Sequence, residues 1–362
     1  MQVILGIIYH FIGGFASGSF YTPFKKVKGW AWESYWIAGG IFSWLIVPPL
    51  AAYLTIPGFA EIIKGTQAGT IGITYLFGVL WGIGGLTYGL GVRYLGISLG
   101  TSIILGLTMV FGSLIPSIYY NFFPEGGKDT FRMLIHSRWG LYVLAGLAVC
   151  IVGTVLCGKA GTWKEKELNL PGNGTQDIQQ KTEYKFGLGL LVSVISGILS
   201  ACFNFGIESG KPMAVTANEI WKAAHPGQGE FLFQNNVTFV VILWGGLTTN
   251  FIWCMILNAR NKTFGDYVNT KTPLFSNYLF SALAGITWFL QFFFYGMGES
   301  RLGNGASSWI LHMAFIILVA NLWGIVLKEW KGVSSKTKSM ITLGILTIII
   351  AVLLVGYGNS LK

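Results

Sequence analysis

The sequence predicts an all-α membrane protein in which ten transmembrane helices form two inverted five-helix repeats. Three observations point there. Of 362 residues, 53% are apolar and only 10% are charged, too few to clothe a soluble chain of this length. The apolar residues gather into ten stretches, each about 20 residues and so long enough to cross a bilayer as a helix. A pattern in the third stretch then recurs in the eighth.

The stretches run over 3–22, 34–55, 71–91, 97–118, 139–158, 186–207, 237–258, 275–298, 305–327 and 339–357. The first has the length of a signal peptide but lacks a basic n-region and carries His10 mid-stretch, so it reads as a retained helix. The net charge of +10 lies in the connections, which argues for topology rather than a nucleic-acid partner. Odd-numbered connections hold 16 Lys and Arg and even-numbered ones hold 7. Basic residues stay on the cytoplasmic side during insertion, so odd connections are predicted cytoplasmic and both termini periplasmic. Lys25, Lys26 and Lys28 after the first stretch anchor that topology, and such ammonium groups also suit a cytoplasmic gate.

The repeat is explicit in residues. Residues 76–96 and 283–303 match at a constant offset of 207, including Gly78/Gly285, Trp81/Trp288, Tyr88/Tyr295 and Gly91/Gly298. Eight positions of 21 are identical. A weaker match at offset 183 pairs Ile12/Ile195, Gly14/Gly197, Ser17/Ser200 and Phe20/Phe203. Stretch three thus corresponds to eight and one to six. An odd number of helices per half enters the membrane in opposite senses, the arrangement of secondary transporters with a substrate site near mid-membrane. The expected halves are 1–158 and 186–362, joined by a polar cytoplasmic linker over 159–185 that contains Pro171, Gly172 and Gly174. Gly78/Gly82, Gly85/Gly89 and Gly96/Gly100 have the four-residue spacing of close helix contacts.

Polar side chains deep in apolar stretches are costly and mark cavities or partners. Those here are His10, Asn204, Asn250, Gln291, His312 and Asn321, with Glu33, Glu208, Glu299, Arg93 and Arg301 at stretch ends. His10 and His312 are the candidate proton carriers, because imidazole exchanges a proton near neutral pH; a histidine bonded to a backbone carbonyl is the plainer alternative. Trp288, Gln291 and Tyr295 share one helix face by their spacing. Aromatic faces for stacking plus amide and hydroxyl groups suit a sugar, and Trp81 and Tyr88 repeat the theme. An aromatic stripe is also what packing or an interfacial belt produces. Cys150, Cys157, Cys202 and Cys254 form no CxxC pair, so no metal and no disulfide framework is expected. Nucleophile, zinc-protease and phosphate-loop motifs are absent, so no enzyme, cofactor or ATP drive is expected. The partners left are the lipid bilayer and a small molecule; nothing in the sequence sets an oligomeric state.

FYTPFKKVKGWAWESYW (20–36), LFGVLWGIGGLTYGLGVRYLGISLG (76–100), WFLQFFFYGMG (288–298), WILHMAF (309–315) and VLKEW (326–330) resemble the bacterial L-rhamnose–proton symporter family over nearly the whole chain. That family lies in the drug/metabolite transporter superfamily. The resemblance implies the ten-helix fold of that superfamily and proton-coupled uptake of L-rhamnose or a similar 6-deoxy sugar across the bacterial inner membrane. The proton is then the coupling ion. Residues matching the family are His10, Tyr88, Trp288, Gln291, Tyr295 and His312. The sequence departs from the enterobacterial pattern at Gly85 and Thr87, where Asn is expected, and at Glu299, where His is expected. The candidate sugar contacts are therefore Trp81, Tyr88, Asn204, Trp288, Gln291 and Tyr295, and the candidate proton-coupling groups His10, His312 and Glu299. An exporter of small amphipathic metabolites on the same fold, and a non-transporting sugar sensor, are the alternatives.

Overall fold

The computed structural model describes residues 1–168 and 185–362; residues 169–184, the middle of the expected linker, lie outside them. Ten helices among the described residues are long and apolar enough to cross a membrane: Gln2–Phe24, Trp32–Thr55, Ala68–Leu95, Ile97–Phe122, Arg138–Glu167, Phe186–Ser209, Asn236–Asn261, Leu274–Leu302, Gly305–Val326 and Ser335–Ser360. They are numbered here as spans one to ten. Each coincides with an expected stretch, and most extend it by a turn because caps and charged ends add polar residues to the apolar run. Ser137, Asn304 and Ser334 cap spans five, nine and ten by accepting from the N–H of Gly140, Ser307 and Thr337.

One boundary differs from expectation. Residues 159–167, read as linker, continue span five as helix. Lys164 and Lys166 fall in its last turn, where positive charge complements the helix dipole. A composition that looks like loop is here a solvated helix end.

Contacts divide the chain into two compact units. The first comprises Met1–Gly14, Gly84–Ala201 and Leu302–Lys362; the second comprises Phe15–Ile83 and Cys202–Arg301. Each unit draws helices from both sequence halves.

Within each unit, connections of like parity meet. In the first unit, Glu165 accepts from Ser98 N and Oγ at 3.1 and 2.7 Å, and Glu167 accepts from Ser334 N and Oγ at 2.6 and 2.8 Å. These bonds gather connections three, five and nine. Asp129 instead accepts from Asn304 Nδ2 at 2.8 Å and Lys362 Nζ at 2.6 Å, joining connections four and eight to the C-terminus. In the second unit, Asp266 accepts from Ala31 N at 2.8 Å and Ser34 Oγ at 2.7 Å, and Glu33 accepts from Asn261 Nδ2 at 3.0 Å. Connections one and seven meet there. Ala31 precedes span two and has no side-chain cap of its own, so the Asp266 carboxylate supplies the acceptor and the charge that this helix start favours. Ile62 of the short helix Phe59–Gly65 packs with Met213 and Ala217 of the helix Lys211–Ala224, joining connections two and six. This sorting is what ten complete crossings require.

Glycine sets the closest helix approaches. A Cβ on Gly78 of span three would strike the Ile242 carbonyl of span seven, and one on Gly285 of span eight would strike the Gly39 carbonyl of span two. Gly14 of span one lies on Phe315 of span nine, and its sequence match Gly197 of span six lies on Leu107 of span four. Spans five and ten pack on each other through Gly146, Gly153 and Gly344. The expectation for Gly85 and Gly89 fails, since a Cβ there would meet nothing within 4 Å. They share one face of span three with Gly78 and Gly82 but lie further along it than the contact with span seven, so spacing identified the face without showing where the close approach ends. Gly96 serves a turn, with φ 86°, between spans three and four.

Candidate functional site

The second unit concentrates aromatic and amide groups. Span eight carries Trp288, Gln291 and Tyr295 at helical spacing, as the sequence predicts. Tyr295 is fully buried and donates from its hydroxyl to Asn204 Oδ1 of span six at 3.2 Å. A buried bond of this kind contributes roughly 1 kcal/mol net and, more importantly, fixes the amide's orientation. Gln291 is 3% exposed, and its Nε2 has no hydrogen-bond partner among the described residues. That leaves a donor pair available to a ligand.

Trp81 and Trp288, matched in the repeat, have matched surroundings. Trp81 meets Phe203 edge-on with ring centroids 5.0 Å apart, and Trp288 meets Phe20 edge-on at 4.2 Å. Phe20 and Phe203 are themselves a matched pair. Both tryptophans also turn an edge to Phe292, at 5.8 and 6.1 Å, and Phe292 stacks on Phe203 at 4.3 Å. The structure therefore brings Trp81, Asn204, Trp288, Gln291 and Tyr295 into one unit, bound together by Phe20, Phe203 and Phe292.

Glu299 stands one turn beyond Tyr295 and is 4% exposed. It accepts from Lys211 Nζ at 2.7 Å and from Asn235 Nδ2. Lys211 opens the short helix after span six, and Asn235 precedes span seven. A carboxylate this deep needs such a partner, since an uncompensated buried charge costs several kcal/mol. Lys211 and Asn235 were missed in the sequence because each reads as an ordinary connection residue.

The first unit holds His10, His312 and Tyr88. Both imidazoles are buried, and their ring centroids are 6.3 Å apart. His312 lies 6.4 Å from the ring of Trp309, whose Nε1 donates to the Thr108 carbonyl at 2.9 Å. Spans one, four and nine thus position the two imidazoles, with Gly112 admitting the Trp309 indole. The Tyr88 hydroxyl bonds Thr101 Oγ1 at 2.8 Å, so this tyrosine is held by span four, whereas its repeat match Tyr295 is held by span six. The remaining polar in-span residues have local roles: Asn250 accepts from Trp36 Nε1 at 3.0 Å, and Asn321 donates to the Ile317 carbonyl of its own helix. All four cysteines are buried, and no cluster of three metal-ligating side chains occurs among the described residues.

A family model described as the L-rhamnose-proton symport protein matches residues 1–361. The chain belongs to this family. Its relatives include an L-rhamnose-proton symporter of Yersinia pestis (strain Pestoides F), 36% identical over 363 residues covering 99% of this chain and 98% of the relative. A protein of the same description from Klebsiella pneumoniae (strain 342) is also 36% identical over 363 residues, with the same shares covered. Family membership and the ten apolar helices make this symporter-family chain a multi-pass membrane transporter rather than an enzyme.

Proposed function

We propose that this protein takes up L-rhamnose, or a closely similar 6-deoxy sugar, together with protons across the bacterial inner membrane. The match to the symporter family along 361 residues carries this reading. An exporter of amphipathic metabolites gains no comparable support.

Mechanistically, the reading is alternating access between two inverted halves. Its support is the self-consistency of the contacts. Replacing each span by the one five places later turns the one–nine contact into six–four and the three–seven contact into eight–two, while five–ten maps onto itself. The matched glycines and the matched tryptophans occupy corresponding places in that exchange. With 16 basic residues in odd connections against 7 in even ones, the odd side is cytoplasmic and the termini are periplasmic.

The sugar contacts proposed are Trp81, Tyr88, Asn204, Trp288, Gln291 and Tyr295. Indole and phenol rings cover the sugar's C–H faces, while Gln291 and Asn204 bond its hydroxyls. His10, His312 and Glu299 are proposed to carry the proton. Coupling requires that the proton bind more tightly when sugar is bound, and reciprocally. The test is uptake of labelled L-rhamnose into proteoliposomes with and without an imposed pH gradient. Accumulation above equilibrium only with the gradient is expected; equal filling under both conditions would refute proton coupling.

A further inference from the structure

Span two is not a continuous α-helix. Over Ile41–Ile46 it widens into a π-turn, in which Val47 N donates five residues back to the Phe42 carbonyl. The cause is local: Pro48 and Pro49 have no N–H, so the carbonyls of Trp44 and Leu45 lose their α-helical partners. Such wide turns re-aim side chains and gather at functional sites. This one carries Ser43 and Trp44, both almost fully buried.

Ser43 and Trp44 line a narrow aromatic pocket within the second unit, shared with Phe20, Phe24, Trp36 and Trp288. Its free space is that of about one water molecule. Three of its lining residues bring buried polar atoms with no hydrogen-bond partner among the described residues: Ser43 Oγ, Trp44 Nε1 and Trp288 Nε1. Two indole N–H groups and a hydroxyl in an aromatic wall are a donor set lacking an acceptor, and each unmet donor is a standing cost of about 1–3 kcal/mol. The neighbouring indole of Trp36 differs, because its Nε1 is taken by Asn250. Gly40 belongs to the same device, since a Cβ there would overlap the Trp44 ring.

We propose that this pocket is a hydroxyl subsite: one hydroxyl of the sugar enters it, accepts from Trp44 Nε1 and Trp288 Nε1, and exchanges a bond with Ser43, while the aromatic rings flank the adjoining carbons. The pocket is too small for a ring and has room for one protruding oxygen at most. The assignment rests on the sugar-transport reading above and adds to it the residues of span two.

The experiment measures L-rhamnose uptake in proteoliposomes by wild type, Trp44→Phe, Ser43→Ala, Gly40→Ala and Trp36→Phe, with inhibition by rhamnose analogues each lacking one hydroxyl. Trp44→Phe is expected to raise KM about five- to tenfold, the loss of one buried hydrogen bond, with Ser43→Ala somewhat less; Gly40→Ala, which pushes on the Trp44 ring, should raise it as well. Trp36→Phe, which alters the pocket wall without removing a free donor, should raise KM less than Trp44→Phe does. One analogue should inhibit wild type about tenfold more weakly than rhamnose does, and the gap between the two should narrow in Trp44→Phe, because one of the hydroxyl's bonds is already gone. Wild-type uptake with an unaltered KM in Trp44→Phe and Ser43→Ala would make the pocket a water site and overturn the subsite alone. A KM rise in Trp36→Phe equal to that in Trp44→Phe would reduce it to packing. No rhamnose uptake by wild type would overturn the transport reading itself.

Discussion

The two compact units spend their buried polarity differently. The second assembles large aromatic rings with amides and the buried Lys211–Glu299 ion pair. The first sets two imidazoles 6.3 Å apart, groups able to exchange a proton near neutral pH. The matched tyrosines sharpen the contrast: Tyr295 braces an amide across to span six, whereas Tyr88 spends its hydroxyl on a threonine.

Breaking the imidazole pair should have the largest effect. His312→Ala or His10→Ala is expected to abolish accumulation under a pH gradient while preserving exchange of labelled for unlabelled sugar, read in counterflow. Undiminished accumulation in both variants would take the histidines out of coupling.

Next in size is the ion pair. Lys211→Met strands the Glu299 carboxylate and is expected to destabilise the protein by about 3 kcal/mol, the low end of the buried-pair range because the Lys211 side chain is 25% exposed. Thermal unfolding in detergent reads this, and adding Glu299→Gln should restore most of the loss. If the double variant is as unstable as the single one, the pairing is not what Lys211 contributes.

Span three offers an internal control. Gly78→Ala should cost about 2 kcal/mol or more by driving a methyl into the Ile242 backbone, whereas Gly85→Ala, with open space around it, should shift stability by less than about 0.5 kcal/mol. Equal melting shifts would mean that span three does not rest on span seven. The smallest expected effect is that of Tyr295→Phe, which removes one donor to Asn204 and should raise the KM for sugar about fivefold with little change in maximal rate.

Much of this architecture is legible in the residues because a membrane allows few solutions. Apolar runs of spanning length fixed all ten helices, and the offsets of 207 and 183 picked out glycines and aromatics that prove to make matched contacts. His10 and His312 were visible as polar groups out of place. What stayed hidden depends on contacts between distant segments: Lys211 with Glu299, 88 positions apart, and Phe20 with Trp288. Periodicity also failed to say how far along span three the packing runs, so Gly85 and Gly89 were grouped with Gly78 and Gly82. The π-turn had a signal, the Pro48–Pro49 pair, but a missing donor says only that the helix must adjust and not which side chains the adjustment will turn.

The start of span two has a consequence for biogenesis. Its stabilising carboxylate, Asp266, lies 235 positions downstream of Ala31. At ordinary translation speeds the nascent helix waits on the order of 10–50 s for it. Throughout that interval the early spans are an unfinished intermediate in the bilayer, open to surveillance proteases, and any truncation upstream of Asp266 should leave a fragment that inserts but is rapidly degraded.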